Sequence, residues 1–450
     1  MRRSTTKVSF KPDYIRLSKV QFKQNQKFLK FIYNVLKEKS DIASIVEIGV
    51  GDGYIAEKLN RIFSPQRLYL IDTNEYFLEH ASKFIPGARC INKNVLDTTL
   101  GDIDNEPVDV VITSNFLHWL SLKDQSWFDC VKLIWSFLKP GGYFFIHQGL
   151  KWTYFTLYDL GNELFKRMFG KVIDISEILY YPYCREILDN FKEVGFCVVS
   201  YKDFYELEEF NAPYGKEELY VSFSVAGINV FLSQIEDEEE KGRFEKEFLR
   251  LCEIHTPPIF AHRGFFALRK PYSNLAFYLI PPRSASYEES QKMNAFIREV
   301  SSDFVPPLET RTPDDEFYEG DTKYAEYLLA HYYNLICFFE KNPDEWIGLL
   351  SFRIKNSFSN PGTPCIYVST LAVKRPFRNA RVATQLYNYF LNKVVDKYTR
   401  ERKIRLIETR TWNTNIASRK LLGNLGFRLV KVIPHHRGEN LHTEYYIKNV

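Results

Sequence analysis

The chain has 450 residues, 45% hydrophobic and 26% charged, enough for two or three packed cores and too mixed in composition for a disordered or fibrous protein. Its 60 basic and 56 acidic residues leave a formal net charge of +4, so no strong field marks nucleic acid or an anionic membrane as an obligatory partner. No apolar run reaches the ~18 to 20 residues of a membrane span, and the 7 cysteines are scattered without metal-like or disulfide-like spacing, so the expectation is a cytoplasmic protein with reduced thiols.

The stretch VEIGVGDGYIAEKL, from Val46, reads as a strand running into Gly49, Gly51 and Gly53, with a helix starting near Tyr54. Glycines there let the chain turn sharply and let backbone N–H groups approach a ligand that a Cβ would hold away. Glu47, just before them, would repel a pyrophosphate and favours a cationic ligand. The next strand, RLYLID, ends in Asp72, placed to accept hydrogen bonds from two ribose hydroxyls. Asp97, followed by Thr98, ends the next segment. The apolar strand from Val108 to Asn115 leads into FLHWL at its carboxyl end, the edge where open α/β sheets bind ligands. LKPGGYFFIHQ supplies a turn and a fifth strand. Further on, GFCVVSYKDF and GFFALRKP (Gly264 to Pro271) read as an antiparallel pair closing the sheet. Between them, Glu217 to Ile254 reads as a helical insertion, the acidic run Glu236 to Glu240 being a solvated helix start.

In this order and spacing, the features resemble a class I S-adenosylmethionine-dependent methyltransferase. The resemblance implies an α/β, Rossmann-like, seven-stranded domain over residues 1–272 with a helical lid over about 205–258. It also implies that Glu47, Gly49, Gly51, Gly53, Asp72, Asp97, Thr98 and Asn115 surround S-adenosylmethionine. Tyr14 with Gln21, the FLHW string and the insertion resemble the carboxyl-methylating branch: the trans-aconitate, malonyl-carrier and juvenile hormone acid methyltransferases. That likeness implies Tyr14 and Gln21 in the cofactor pocket and Trp119 as a wall of the reaction centre. His118 is the candidate base for an acceptor that carries a proton, and His147 a candidate substrate contact; a hydrogen-bonded wall is the competing reading of both, as packing is of Trp119. A carboxylate acceptor needs no base, only positioning and desolvation.

A second domain, expected over residues 273–450, opens with the strand NLAFYLIPP near Asn274. A helix leads to DFVPPLETR, then come the helix YAEYLLAHYYN and the strands LICFFE and EWIGLLSFRI. STLAVKRPFRNARVATQLYNYFL (Ser369 to Leu391) reads as a strand, a loop and a helix whose free amino-terminal N–H groups make an anion site. With TWNTNIASRKLLGNLGFRLV (Thr411 to Val430), this half resembles the α+β fold of the GCN5-related N-acetyltransferases (GNAT), which bind acetyl-coenzyme A. The resemblance implies coenzyme contacts at Leu371, Val373, Arg378, Asn379, Ala380, Arg381, Val382, Ala383 and Asn415.

Two positions depart from that family's pattern. Arg381 stands where a glycine is usual: on ordinary helical backbone its N–H still donates and its guanidinium adds a phosphate contact, whereas packed against the pantetheine arm it obstructs. Leu422 stands where many members carry a tyrosine acid for the departing thiolate. Glu408, in RLIETRTW, is a candidate base, a salt-bridged strand glutamate being the competing reading; His435 and His436 on the next segment are further candidates, a turn after a proline being theirs; and Tyr445 with Tyr446 could replace the missing acid.

The function expected from the whole chain is a bifunctional small-molecule tailoring enzyme, an O-methylating methyltransferase fused to an acetyl-coenzyme A-dependent N-acetyltransferase. An acetyltransferase half reduced to a binding scaffold, and modification of a protein or RNA, are the alternatives. Expected partners are small molecules, without membrane or nucleic acid; oligomeric state is not legible.

Overall fold

The computed structural model describes residues 22–39, 41–120, 125–207, 228–255, 257, 260–305, 307–308 and 324–450. Tyr14 and Gln21, expected at the cofactor, lie outside the described residues, as do residues 208–227 of the expected lid. The chain divides into two compact units, residues 1–270 and 271–450.

The first unit is built on a seven-stranded sheet of order β3-β2-β1-β4-β5-β7-β6. Its strands are β1 (Ser44–Ile48), β2 (Arg67–Asp72), β3 (Arg89–Asn92), β4 (Val108–Ser114), β5 (Leu138–Gly149), β6 (Cys197–Leu207) and β7 (Phe260–Arg269). The strands from β1 to β5 pair in parallel, while β7 lies antiparallel between β5 and β6, the closing pair expected from sequence. β1 is buried along its whole length, as a parallel strand covered on both faces must be. Strand order reverses between β1 and β4, which opens a crevice at their carboxyl ends.

Helices cover both faces. α1 (Phe22–Leu36) and α2 (Tyr54–Phe63) set Phe28 and Ile55 against Val110, Phe145 and Phe265. On the other face α4 (Ser126–Phe137) and α6 (Cys184–Val194) bring Trp127 and Phe191 onto Val46, Phe144 and Phe266. The short α3 (Glu75–Ser82) follows β2 and is capped by Asn74, whose side chain accepts from the Tyr76 N–H at 3.1 Å. The described part of the insertion, α7 (Asn229–Leu232) and α8 (Glu238–His255), packs on α5 (Phe155–Phe169) as an apolar cluster of its own. Phe244, Phe248, Leu251 and Cys252 form one helical face of α8, leaving the acidic first turn to solvent.

The second unit carries a seven-stranded sheet of order β13-β14-β12-β11-β10-β9-β8. The strands are β8 (Leu275–Ile280), β9 (Tyr333–Phe339), β10 (Asn342–Asn356), β11 (Pro364–Val373), β12 (Leu406–Trp412), β13 (Arg428–Ile433) and β14 (Thr443–Asn449). α9 (Tyr287–Val300) and α10 (Tyr324–His331) cover one face with Phe296 and Leu328 over Ile336, Leu349 and Ala372. A capping box starts α9: Ser286 Oγ accepts from the Glu289 N–H at 3.2 Å and the Glu289 carboxylate from the Ser286 N–H at 2.7 Å. α11 (Val382–Tyr389) and α13 (Ile416–Asn424) lie over the other face, where Leu386 and Leu422 join Leu350, Ile407 and Tyr446; α12 (Asp396–Arg402) continues from α11 through a π-helical stretch.

One packing contact fixes the insertion. A Cβ on Gly161, in α5, would come within 2.4 Å of the fully buried Phe231 ring of α7. In an exposed helix alanine is better than glycine by about 1 kcal/mol, but overpacking a close-packed core costs about 1–3 kcal/mol. Gly161→Ala is therefore expected to lower the unfolding free energy in a denaturant melt, against the helix-propensity trend.

Candidate functional site

At the end of β1 the chain turns through Gly49, Gly51 and Gly53, with φ values of +72°, +55° and +75°. These are left-handed conformations that side chains disfavour. The Gly49 N–H donates to Ile71 O at 2.9 Å, joining the turn to β2. A Cβ on Gly49 would meet the Phe116 ring at 2.7 Å, so the glycine also admits the loop after β4.

Three carboxylates gather here. Asp72, at the tip of β2, accepts from the Gly51 N–H at 3.4 Å and the Asn74 N–H at 2.9 Å. Glu47 is buried and accepts from the Ala56 N–H at 3.0 Å, in the first turn of α2. Burial pushes the carboxyls of Glu47 and Asp72 upward, and Asp52 and Asp72 raise Glu47 further by repulsion. A cluster of buried Glu47 with half-buried Asp52 and Asp72 beside open backbone suits a cationic ligand. Asp97 ends a short 3-10 turn and is exposed; the Thr98 N–H, expected near an adenine, donates within that turn to Val95 O at 3.1 Å.

The loop after β4 makes the other side. Asn115 sits at φ +51° and its N–H donates to His147 O at 2.8 Å. His118 is buried and stacked on Tyr181, ring centroids 5.4 Å apart, and Trp119 lies 4.9 Å from it, half-buried against the α5–α8 cluster. His147 is fully buried, with Nδ1 3.2 Å from Ser114 Oγ. Neither His118 Nδ1 nor His147 Nε2 has a hydrogen-bond partner among the described residues. Burial, with repulsion from Arg263, pushes His118 down to about 3 and His147 well below its ordinary value. Both imidazoles are therefore neutral at physiological pH, and His118 is a weak base.

Arg263, on β7 opposite Gly149, was not among the residues singled out from sequence. It is 3% exposed and donates to Tyr154 Oη at 2.9 Å and Asn115 Oδ1 at 3.4 Å. Tyr154 itself is held at φ +55°, in the turn that follows β5.

In the second unit β11 and β12 pair in parallel only from Ile366–Ile407 to Val368–Thr409. Ser369 is an extra residue opposite the Ser351–Phe352 step of β10. Beyond it Leu371 and Val373 pair with β10 alone, on the side of β11 away from β12. The strands thus part where an acyl chain is expected. Thr411 lies on the β12 side of that gap, buried, its Oγ1 without a hydrogen-bond partner among the described residues; a β-strand threonine gave no signal in the sequence.

The loop from Arg378 leads to α11 through two left-handed residues, Asn379 at φ +57° and Arg381 at φ +59°, both with exposed side chains. The ordinary helical backbone considered for Arg381 is not what the fold adopts, and its side chain is exposed. The Arg378 guanidinium ties this loop to Asp303, at the end of α9, and donates to Val373 O at 2.8 Å. Ala380 is fully buried, while Val382 and Ala383 open α11 with N–H groups that lack intrahelical acceptors. Asn415 caps α13, its side chain accepting from the Ser418 N–H at 3.1 Å.

Glu408 requires correction as a candidate base. It lies in the paired half of β12, opposite Tyr367, before the strands part. Its carboxylate accepts from Ser357 Oγ at 2.7 Å, Phe358 N at 2.9 Å, Ser359 N at 3.0 Å and the Ser359 hydroxyl. Despite burial these bonds hold it below the usual range, so it anchors a loop. Tyr445 is buried on β14 with its ring 5.9 Å from that of Phe358, and β12 lies between it and the gap. His435 and His436 occupy a turn after β13. Among the described residues no group of three His, Cys, Asp or Glu side chains is placed to hold a metal ion, and no helix is long and apolar enough to cross a membrane.

Two outcomes follow. The folded protein holds the Glu47 proton more tightly than the unfolded chain, whose carboxyl titrates near 4.5, so stability falls as pH rises above that value. Glu47→Gln keeps an acceptor for Ala56 but removes this slope; its melting temperature drops less than that of the wild type between about pH 5 and 8. At Arg381, relief of left-handed strain of about 1–2 kcal/mol exceeds the 0.4–1 kcal/mol or so lost to unfolded-state entropy. Arg381→Gly is expected to raise the unfolding free energy by up to about 1 kcal/mol in a urea titration.

Comparison with known proteins assigns the two units. Residues 46–146 match the model of a methyltransferase domain, and residues 296–427 that of the acetyltransferase (GNAT) family. No curated protein matches the chain. Among solved structures, the cyclopropane synthase MmaA2 from Mycobacterium tuberculosis is similar at 13% identity and a TM-score of 0.36, covering 58% of this chain and 94% of its own. The N-methyltransferase NodS from Bradyrhizobium japonicum WM9 is similar at 12% identity and a TM-score of 0.32, covering 56% and 97%. A chain of the NatC complex bound to Gag peptide and CoA covers 40% of this chain and 99% of its own, at 17% identity and a TM-score of 0.28. None of these likenesses carries an activity or substrate to this chain. From the family models, the chain carries a methyltransferase domain followed by a GNAT-family acetyltransferase domain.

Proposed function

We propose that the first domain moves a methyl group from S-adenosylmethionine to a carboxylate of a small molecule, and that the second moves an acetyl group from acetyl-coenzyme A to an amine. The observation that carries the methyl half is the state of the two imidazoles beside β4 and β5: both are buried and neutral, His118 pushed down to about 3. An amine or alcohol acceptor must lose a proton, which such a group takes poorly. A carboxylate oxygen arrives with its lone pair available. It forms the new O–CH3 bond as the carbon–sulfur bond breaks, the electron pair stays on sulfur, and no proton moves. Asp52 and Asp72 supply negative charge for a sulfonium and ammonium donor, Glu47 holds the turn through the Ala56 N–H, and the glycine turn supplies backbone N–H groups.

The acetyl half rests on the parted β11 and β12 and on the left-handed turn that presents the start of α11 to a phosphate. A second reading, a coenzyme-binding module without turnover, is favoured by two observations: Leu422 is buried in the core, and Glu408 is fully engaged. Calorimetric titration with acetyl-coenzyme A together with release of free thiol over an amine panel separates the readings, since binding without release supports the module.

The methyl half has a kinetic signature. With no enzyme base titrating, kcat/KM for methyl transfer to a carboxylic acid is expected to stay flat between about pH 6 and 9 and to fall only as the acceptor is protonated, near pH 4–5. A rise with slope one through about pH 7 would instead require a titrating base.

A further inference from the structure

The gap between β11 and β12 is edged by a buried hydroxyl that the described residues leave unused. We infer that Thr411 is the residue of the second domain that holds the acyl group: its Oγ1 donates to the thioester carbonyl oxygen of acetyl-coenzyme A, in the place that a β11 carbonyl occupies one step earlier along the strands. This rests on the acetyl-coenzyme A reading above and adds to it the side chain that meets the reacting carbonyl; it does not depend on turnover.

Three observations converge. Thr409 and Thr411 are two residues apart on β12 and so share a face of the sheet. Thr409 shows what a threonine on that face does while β11 is alongside: its Oγ1 donates to Val368 O at 2.9 Å, across the last pair that the two strands make. Two residues on, past the extra residue Ser369, β11 pairs with β10 alone, and the carbonyl that would serve Thr411 in the same way has moved off with it. Thr411 is nevertheless 3% exposed, and its Oγ1 has no hydrogen-bond partner among the described residues. Its neighbour on the other side does not satisfy it either. Glu444, paired with Thr411 on β14, accepts instead from the Tyr446 hydroxyl at 2.7 Å and from Arg419 Nε at 3.0 Å. A buried hydroxyl left without a partner is unfavourable and rare, and it marks a position where something else completes the bond.

A carbonyl is the group that fits, because the acceptor used one step earlier is a peptide carbonyl and a thioester presents an sp² oxygen of the same kind. The position along the gap selects which carbonyl. The gap closes at the Val368–Thr409 pair, so an extended ligand reaches this point only with its terminus, and Thr411 is the first residue of its face beyond that pair. The acyl carbonyl, not an amide of the pantetheine arm, is what meets it. Donation leaves the lone pairs of the hydroxyl open to water. Where the acyl group is passed on, the same donor faces the oxygen on which negative charge develops, and so favours transfer more than binding.

The test uses the full chain with acetyl-coenzyme A carrying a heavy-carbon label at the acetyl carbonyl, read by isotope-edited infrared difference spectra, and with calorimetric titration of coenzyme A and acetyl-coenzyme A. The carbonyl band of the bound thioester lies below that of the free one, because a hydrogen bond weakens the C=O bond. In Thr411→Val, which keeps the shape and removes the hydroxyl, the band moves up to the free position or beyond it; in Thr411→Ser it stays lowered. Thr411→Val weakens acetyl-coenzyme A by about 3- to 10-fold and coenzyme A by less than about twofold. Where an amine is turned over, kcat falls by about 100-fold in Thr411→Val and by less than about tenfold in Thr411→Ser. Thr411→Ala, with the same expected spectrum, covers the case in which the valine variant does not fold. The inference is overturned if the wild-type band is unshifted on binding, if the band stays lowered without the hydroxyl, or if coenzyme A and acetyl-coenzyme A weaken alike. Failure of both ligands to bind the wild type strikes the acetyl-coenzyme A reading instead.

Discussion

The first unit hangs on the turn that ends β1. Gly49, Gly51 and Gly53 hold left-handed backbone that no other residue type adopts cheaply three times in five positions. The turn couples β1 to β2 through the Gly49 N–H on Ile71 O and the Gly51 N–H on Asp72. It also determines what stands across the crevice, because the missing Cβ of Gly49 is where the Phe116 ring lies. Phe116 in turn begins the short turn that carries His118 and Trp119. Glu47 secures the same turn from below by accepting from Ala56 at the start of α2. Strand, turn, helix and acceptor loop are thus one connected construction.

The electrostatics of that construction fit the proposed chemistry better than they fit stability. Glu47 and the half-buried Asp72 are carboxyls raised by desolvation, and Arg263 is a buried cation, each of which taxes the fold. For a sulfonium donor and a carboxylate acceptor the products are a neutral thioether and a neutral ester. A medium that solvates charge poorly disfavours the charged reactants relative to a transition state in which charge is disappearing. The burial that makes these side chains costly is then the property that favours transfer, and two neutral imidazoles preserve it where a charged pair would not.

Much of this was legible in the sequence, and the exceptions have physical reasons. The parallel strands announce themselves as apolar runs, and the glycine spacing and Asp72 follow them at fixed distances, so the turn after β1 and the tip of β2 could be placed residue by residue. Arg263 could not: it reaches the site because β7 inserts antiparallel between β5 and β6, bringing a residue from beyond a long insertion beside Gly149. Tyr154 was hidden for another reason, since nothing in its type signals a left-handed backbone. Glu408 misled in the opposite direction. Its alternation on a strand was visible, but the donors that occupy it lie in a loop about fifty residues earlier, joined only by the pairing of β10, β11 and β12. In the loop before α11 the absence of glycine concealed a turn that Asn379 and Arg381 nevertheless make.

The acetyl half turns on which proton matters. Leu422 points into the core with Ile407 and Tyr446, so the position that supplies an acid in many relatives of this fold supplies packing here. A departing thiolate tolerates that loss, because a thiol with pKa of about 8.5 is not a poor leaving group near neutrality. The incoming amine does not, since an alkylammonium of pKa about 10 has no lone pair to offer until it gives up its proton. Base supply, not acid supply, therefore decides whether this domain turns over. Glu408, committed to the Ser357–Ser359 loop, does not supply it, while the buried Thr411 hydroxyl on the β12 side of the gap has an open hydrogen-bonding position among the described residues, where a water could bind. Amines of low pKa, which are already neutral near pH 7, are the acceptors such a site favours.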